Sequence, residues 1–307
     1  MTQKSLSARA WAELLLLSLL WGGSFLSIRV ALDEIGPLTV VLHRVGWAAL
    51  ALWLVVAAMR LPLPRGARVW GAFLVMGLLN NVVPFGLMAW GQLHISTGLT
   101  SILNASTAIW GVVVAALVFA DERLTARRAI GVALGFSGVV TAIGWRAAAD
   151  LDATSLAQLA VLAGALSYAL AGAWARSRLA GLAPQIAAAG MLTASTLVAI
   201  PMAWIAEGPP SLALEPVTWA AIAYYSLAAT GLAYLLYYRV LASAGSGNLL
   251  LCTLLIAPVA IVLGAVVLGE ELRPMAYVGF ALLAVGLLAI DGRALGRRAI
   301  ARGGASG

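Results

Sequence analysis

Long apolar runs separated by short polar connections dominate the hydrophobic pattern of this chain. Crossing about 30 Å of hydrocarbon takes roughly 20 mainly apolar helical residues, and ten segments meet that requirement. Their connections are short and rich in proline and glycine, which favour helix ends. The pattern therefore predicts ten membrane-spanning helices, at residues 11–30, 38–59, 70–93, 98–119, 127–145, 156–175, 185–206, 217–238, 248–268 and 275–291.

The composition agrees with an all-α membrane protein. The chain is 63% hydrophobic and 10% charged, whereas soluble domains are about 25% charged. Its net charge of +7 is scattered between apolar segments, so no nucleic-acid partner is expected. The one cysteine, Cys252, excludes a disulfide within the chain. The first apolar stretch continues past Leu20 without a cleavage site and is interpreted as a retained first helix.

The distribution of Lys and Arg predicts the orientation in the membrane. If the N-terminus lies inside, 15 of the 19 basic residues fall on cytoplasmic segments, three lie outside, and Arg44 lies within the second helix. Both termini, including a basic tail at 293–307, are therefore predicted to be cytoplasmic. The expected location is the cell inner membrane, with the lipid bilayer as the surrounding partner.

A segment near the middle of the chain recurs 148 residues later, with a basic first copy and an acid-rich second copy. The aligned positions are Glu122 with Glu270, Leu124 with Leu272, Gly131 with Gly279, and Gly138 with Gly286. Each half has five predicted helices, and an odd number turns the second half upside down. Residues 1–147 and 148–292 are thus predicted to be two inverted repeats around a central cavity, an architecture typical of secondary transporters.

Several short motifs spread over the chain carry a resemblance to a known family. They are Trp21-Gly22, Arg44, Ala257-Pro258-Val259, Leu268-Gly269-Glu270-Glu271-Leu272 and a weaker first copy, Ala120-Asp121-Glu122-Arg123-Leu124-Thr125. With them the chain resembles the ten-helix, EamA-type branch of the drug/metabolite transporter superfamily, and most of all its exporters of amino acids, including aromatic ones. The resemblance implies a basket-like bundle and an export role. The first repeat departs from the pattern at Trp110, where a proline is expected.

Two predicted helices contain a proline beside polar residues. Pro84 cannot donate to the carbonyl of Asn80, which leaves that carbonyl free next to the side chains of Asn80 and Asn81. A break of this kind should face a cavity or another helix, so a transport pathway and interhelical hydrogen bonding are both open. Pro258 has the same effect, because it leaves the carbonyl of Leu254 without an N–H donor.

Polar and aromatic residues in other helices extend the candidate pathway. Thr100, Asn104 and Thr107 share one face of the fourth helix, which suits either a wet cavity or helix–helix contacts. Aromatic side chains deep in a bundle either pack or contact an amphipathic substrate. The aromatic candidates are Trp21, Phe25, Trp110, Tyr168 and Tyr234.

A buried cation in the second helix has two interpretations. Arg44 lies about 9 Å from the predicted outer end of its helix. It is close enough to the interface to extend toward Asp33 or Glu34. The alternative is that Arg44, with His43 beside it, binds a substrate carboxylate or serves as a gate.

No carboxylate lies near the middle of any predicted span, which favours a gradient-driven carrier without proton coupling. A Walker motif is absent, so no ATPase activity or ATPase partner is expected; no metal or cofactor is predicted either. The predicted function is export of small metabolites, amino acids first, by alternating access. The alternatives are a proton-coupled exporter of drugs or other metabolites and an intramembrane serine protease at Ser137. The protease is disfavoured because the histidine of the rhomboid family follows the serine on a later helix, whereas both histidines of this chain precede Ser137.

Overall fold

The computed structural model describes residues 8–122, 124–144, 152–244 and 246–291. The predicted end of the fifth segment at Trp145, the predicted boundary between residues 147 and 148, and the basic tail lie outside these ranges. All regular structure in the described residues is helical. The first five helices are α1 (Ala8–Ala31), α2 (Pro37–Ala58), α3 (Ala67–Gly91), α4 (Thr97–Val118) and α5 (Ala126–Ile143).

The second half of the chain forms five more helices. They are α6 (Ala153–Arg178), α7 (Pro184–Glu207), α8 (Pro216–Ala223, Tyr224–Leu232 and Ala233–Ala244 in succession), α9 (Ser246–Leu268) and α10 (Pro274–Asp291). Among the described residues, eight helices are long and apolar enough to cross a membrane, and α9 and α10 contain the shorter apolar stretches Cys252–Leu268 and Pro274–Ile290. Spanning by α9 and α10 stays a prediction.

Local sequence explains where the helices begin. Four of them, α2, α7, α8 and α10, start at a proline, whose fixed φ suits the first helical position and whose missing N–H is not needed there. The Asp152 side chain caps α6 by accepting from the N–H of Ser155 at 2.7 Å. The Thr125 hydroxyl caps α5 by accepting from the N–H of Arg128 at 3.3 Å.

The helices pack in a reciprocal pattern. The contact of α1 with α9 is matched by that of α6 with α4, and the contact of α2 with α8 is matched by that of α7 with α3. The contact of α1 with α8 is likewise matched by that of α6 with α3. Further contacts join α2 to α7, α4 to α9 and α5 to α10, which are equivalent helices of the two halves. Exchanging the halves therefore leaves the pattern of large contacts unchanged.

The recurring glycines explain how closely α5 and α10 approach. A Cβ added to Gly131 would lie 2.7 Å from the carbonyl oxygen of Gly286, and one added to Gly138 would lie 2.6 Å from that of Gly279. Small residues of this kind let two membrane helices meet backbone to backbone. Because the first glycine of one copy meets the second of the other, the two helices run antiparallel.

Carboxylates from the second half fix two helix starts in the first half. Glu207, at the end of α7, accepts hydrogen bonds from the N–H groups of Leu38 and Thr39 at 2.8 Å each. Glu270, after α9, accepts from the Thr97 N–H at 2.9 Å and from its hydroxyl at 2.6 Å. The N-terminus of a helix favours an anion, so these contacts stabilise α2 and α4. Of the doubled glutamates, Glu270 thus serves at a helix end, whereas Glu122 pairs with Arg128 at 2.9 Å and Arg176 at 3.4 Å.

Candidate functional site

A chain of hydrogen bonds joins three helices at the middle of α3. Asn80 Nδ2 donates to the Tyr234 hydroxyl of α8 at 2.9 Å, and this hydroxyl donates to Asn81 Oδ1 at 3.2 Å. Asn81 Nδ2 donates to Ser195 Oγ of α7 at 2.9 Å. Asn81 is fully buried. We call Asn80, Asn81, Ser195 and Tyr234 the central polar cluster.

A π-helical segment, Leu78–Val82, positions the two asparagines. The segment ends just before Pro84. In a π-helix each N–H bonds to the carbonyl five residues earlier, not four, so the carbonyl that the missing N–H of Pro84 leaves without a donor is that of Leu79. That carbonyl accepts from Ser167 Oγ of α6 at 2.7 Å. The carbonyl that the sequence predicted to be free is that of Asn80. The structure gives the side-chain partner to Leu79, because the π register shifts the pairing by one residue.

Arg44 of α2 lies in the protein interior, with 8% of the residue exposed. Its Nε donates to Thr230 Oγ1 at 3.0 Å, and its guanidinium carbon lies 3.9 Å from the ring centroid of Phe85. The Thr230 hydroxyl donates in turn to the carbonyl of Tyr225 at 2.8 Å. Its lone pairs are therefore available to Arg44. Residues 224–232 are π-helical, which matches the five-residue separation of this last pair.

The predicted contact of Arg44 with Asp33 or Glu34 is wrong. Asp33 accepts from Arg29 at 2.5 Å, and Glu34 accepts from the backbone N–H of Glu215 at 3.1 Å. No carboxylate in the described part of the chain forms an ion pair with Arg44. The only hydrogen bond of its guanidinium among these residues uses Nε, so its two terminal nitrogens have no partner there. The reason is position: Arg44 lies on the buried face of α2, toward α3 and α8.

Aromatic side chains surround Arg44 on the side of the central polar cluster. Tyr168 of α6 packs edge-on against Phe85, with ring centroids 6.3 Å apart. The hydroxyls of Tyr168, Tyr225 and Tyr234 all lie within electrostatic range of the guanidinium. Arg44, the polar cluster and these rings therefore form one neighbourhood between α2, α3, α6 and α8.

Trp21 and Phe25 belong to a different cluster. Both pack in the apolar contact between α1, α8 and α9, where Trp21 lies 5.9 Å from the ring of Tyr237. The carbonyl of Phe25 accepts from Gln92 Nε2 at 2.9 Å. No described hydrogen bond or ring contact links these two side chains to the central polar cluster, so their part in a pathway stays a prediction.

Trp110 and Asn104 of α4 also lie apart from the polar cluster. Trp110 packs edge-on against Phe136 of α5, with ring centroids 4.7 Å apart. Its Nε1 and the Oδ1 of Asn104 are buried and lack a hydrogen-bond partner among the described residues. Unsatisfied buried polar atoms are uncommon, so both atoms are available to a water or a ligand.

The remaining predicted pathway residues have local partners or face outward. The Thr100 hydroxyl donates to the carbonyl of Ser96 at 2.9 Å, and that of Thr107 donates to the carbonyl of Asn104 at 2.7 Å. Both hydroxyls are thus satisfied by nearby backbone carbonyls. They do not require the water-filled cavity that was one of the two interpretations of this face. Pro258 is exposed on the bundle surface.

His43 makes contacts separate from those of Arg44. Its Nδ1 accepts from Trp47 Nε1 at 3.2 Å, and its ring lies 5.8 Å from that of Trp219. The other ring nitrogen, Nε2, is buried without a partner in the described chain. Its proposed role in carboxylate binding or gating is untested by these contacts.

Ser137 has none of the partners that a nucleophile needs. Its hydroxyl donates to the carbonyl of Ala133 at 2.9 Å, and the side chain is exposed. The histidines have other neighbours, since His43 accepts from Trp47 and His94 stacks on Trp90. Within the described ranges, no group of three or more His, Cys, Asp or Glu could hold a metal ion.

Four residues of this neighbourhood were not identified from the sequence: Phe85, Ser167, Ser195 and Thr230. Each shares its helix with other polar or aromatic residues, as Ser195 does with Thr193 and Thr196, and the linear pattern does not distinguish the site residue among them. The relevant signal, the π segments of α3 and α8, arises from packing between helices.

Comparison with known proteins agrees with the fold. A solved crystal structure matches with a TM-score of 0.66 at 19% identity, over 92% of this chain and 97% of that one. A protein of Streptantibioticus cattleyicolor named "Probable terminal-alkyne amino-acid exporter" is 29% identical over 280 residues, which are 90% of this chain and 91% of the relative. The EamA-like transporter family matches residues 10–144 and 155–290. This chain therefore belongs to the EamA-like transporter family and is a membrane transporter, not an enzyme.

Proposed function

We propose that this transporter exports amino acids, including aromatic ones, by alternating access around the central polar cluster. The observation that carries the proposal is Arg44, a buried cation with no carboxylate partner in the described chain and with its two terminal nitrogens unpaired. A buried charge is costly unless it is paired. A substrate carboxylate would supply the missing partner at each transport cycle.

The geometry around Arg44 suits a carboxylate. A guanidinium binds carboxylates through two parallel N–H groups. Thr230 occupies Nε, which leaves the edge formed by the two terminal nitrogens for the substrate. Phe85 supports the planar group from one face at 3.9 Å. These contacts fix the orientation of the cation before the substrate arrives, which reduces the entropy cost of binding.

The rest of an amino acid finds complementary groups nearby. The side-chain oxygen of Asn80 can accept from an α-ammonium group, and the rings of Tyr168 and Phe85 offer an apolar surface to the side chain. Sites for small molecules combine an apolar lining with a few convergent polar groups. The name of the relative from Streptantibioticus cattleyicolor supports the same substrate class.

The proposed mechanism uses the two halves, 1–147 and 148–292, as inverted repeats that move against each other. Its support is the reciprocal packing of equivalent helices and the antiparallel crossing of α5 with α10. The π segments lie in α3 and α8, which are equivalent helices, and gating would involve these segments with the Pro84 and Pro258 positions. The bias of Lys and Arg supports cytoplasmic termini in the inner membrane.

The proposed driving force is the substrate gradient. The buried charged and polar side chains of the described residues include no Asp or Glu, and a proton antiporter commonly uses such a group. Efflux should therefore respond little to an imposed pH gradient. Strong acceleration by that gradient would instead favour the proton-coupled exporter of drugs or other metabolites.

Flux in proteoliposomes tests the proposal. The purified protein should release loaded phenylalanine faster than protein-free liposomes do. Arg44→Gln removes the cation that binds the carboxylate, and Asn81→Ala breaks the hydrogen bonds that hold the central polar cluster together, so each should reduce the rate at least tenfold. Arg178→Gln is the matched control, because Arg178 is exposed and stacks on Trp174.

The substrate assignment fails if a panel of amino acids gives no flux above empty liposomes. The assignment of Arg44 fails if Arg44→Gln transports phenylalanine as fast as Arg178→Gln does. A comparison with 3-phenylpropionate and phenethylamine, which lack the ammonium and the carboxylate respectively, separates the two ends of the substrate.

A further inference from the structure

A cavity of about 330 Å³ lies at the end of the bundle where α4 begins. Pockets that hold small molecules start at about 300 Å³, so this volume can accept the polar part of a small metabolite. None of the residues assigned to the substrate site above lines it. Its polar lining consists of Arg29, Asp33, Gln92, His94, Ser96 and Glu270.

One side chain of the lining has an unused acceptor. Gln92 is 2% exposed, and its Nε2 donates to the carbonyl of Phe25 at 2.9 Å, which fixes the orientation of the amide. Its Oε1 has no hydrogen-bond partner among the described residues. A buried acceptor without a partner costs free energy, so this oxygen points to a ligand with an N–H or O–H donor.

The charges around the cavity favour a positive donor. Arg29 and Asp33 neutralise each other at 2.5 Å. Glu270 has no cationic partner among the described residues, and its contacts are the amide groups of Thr97 and Gly98 and the Thr97 hydroxyl. The lining therefore has one negative charge that is held by a helix N-terminus but paired with no cationic side chain of the described residues, and it lies next to an unused neutral acceptor. A primary ammonium group, with one charge and three donors, fits both.

The cavity lies in line with the central site. Gln92 follows Phe85 by seven residues, which places it two helical turns further on the same face of α3, about 10 Å away. Phe85 is the ring on which Arg44 stacks.

We propose that this cavity is a second binding site, which takes the primary ammonium group of the transported molecule at Gln92 Oε1 and Glu270. The identity of the ligand as an amino acid rests on the proposed function. An organic amine without a carboxylate presents the same ammonium, and the experiment distinguishes the two.

Binding of radiolabelled phenethylamine and phenylalanine to the purified protein in detergent tests the site, with 3-phenylpropionate as competitor. Two substitutions form a matched pair, since both remove the amide donor to Phe25. Gln92→Met also removes the acceptor and should weaken phenethylamine binding about tenfold, whereas Gln92→Glu supplies a charged acceptor and should strengthen it. Gln158→Met is the control, because Gln158 is buried with an unpartnered Oε1 but does not line this cavity.

The site is supported if the affinity for phenethylamine decreases from Gln92→Glu to the wild type and from the wild type to Gln92→Met. Gln158→Met should then bind like the wild type, and 3-phenylpropionate should not displace phenethylamine. Phenylalanine binding that follows the same order in an Asn81→Ala background identifies amino acids as the ligand, and amine binding alone identifies organic cations. Equal affinities in Gln92→Glu and Gln92→Met overturn the proposal, as does a wild type that binds no phenethylamine. This experiment measures binding and the proteoliposome assay measures flux, so failure of the second site is distinguishable from failure of the proposed transport function.

Discussion

The closest backbone contact in the described bundle offers the sharpest test of the architecture. In Gly138→Ala, the new Cβ would lie 2.6 Å from both the carbonyl oxygen of Gly279 and the backbone nitrogen of Leu283. Ordinary contact begins at 3.4 Å, so α5 and α10 would have to separate by about 0.8 Å. Backbone atoms cannot rotate away as a flexible side chain can.

The expected cost follows from that displacement. Overpacking of a well-packed contact costs about 1–3 kcal/mol. In open surroundings, alanine instead favours a helix over glycine by about 0.5–1 kcal/mol. Gly111 and Gly172 supply matched controls, because a Cβ on either meets nothing within 4 Å. Because the gain from alanine is common to all three helical positions, Gly138→Ala should be less stable than Gly111→Ala or Gly172→Ala by the overpacking cost, about 1–3 kcal/mol.

Reversible unfolding in mixed micelles with increasing sodium dodecyl sulfate measures the free energy of unfolding for each variant. Gly279→Ala should behave like Gly138→Ala, since its added Cβ meets the Gly138 carbonyl oxygen at 2.5 Å. Equal stabilities of Gly138→Ala and Gly111→Ala would refute the reasoning, because they would mean that α5 and α10 do not meet through these glycines.

Three further predictions concern helix ends and the cation. Glu270→Ala should lower the free energy of unfolding by about 1–2 kcal/mol in the same titration, and Glu207→Ala should do the same. A variant with unchanged stability would contradict the capping role of its glutamate. Thr230→Val removes the acceptor of the buried arginine and should raise the KM for phenylalanine efflux about tenfold, with an unchanged KM as the contrary result. The N–H of Ser155 lowers the pKa of the Asp152 carboxyl. The stabilisation from this cap is therefore fully present above the ordinary aspartate pKa of about 3.9 and is lost as the pH falls through the lowered pKa. The melting-temperature difference between the protein and Asp152→Asn should therefore shrink as the pH falls below the ordinary pKa and vanish once the carboxyl is protonated, and a difference independent of pH would contradict this assignment.

The linear pattern of the chain was sufficient for the helices. Apolar length, proline at helix starts and glycine in connections predicted ten helical segments, and all ten are helical in the described residues. The repeat offset of 148 residues also identified the recurring glycines of α5 and α10. In the structure these glycines meet in reciprocal pairs. These features follow from composition and spacing, because a membrane admits few alternatives to an apolar helix.

The candidate site depended on more than spacing. Asn80, Asn81, Arg44, Tyr168 and Tyr234 were identified from the sequence, and the structure brings them into one neighbourhood. Trp21, Phe25 and Trp110 were grouped with them as deep aromatics, yet they pack in other contacts. Helical periodicity gives the face of a residue on its own helix, not the helix that this face meets.

The sequence by itself determined that this protein is a helical membrane protein with two related halves, since hydrophobic length and charge bias are properties of single segments. Only the tertiary structure decided which polar groups are satisfied and which remain free. Ser167 reaches the Leu79 carbonyl, and Thr230 reaches one nitrogen of Arg44 but leaves two. Hydrogen bonds between helices depend on rotation and on π-helical register, which no single segment encodes. The free guanidinium edge, which supports the proposal of a substrate carboxylate at Arg44, came from that geometry.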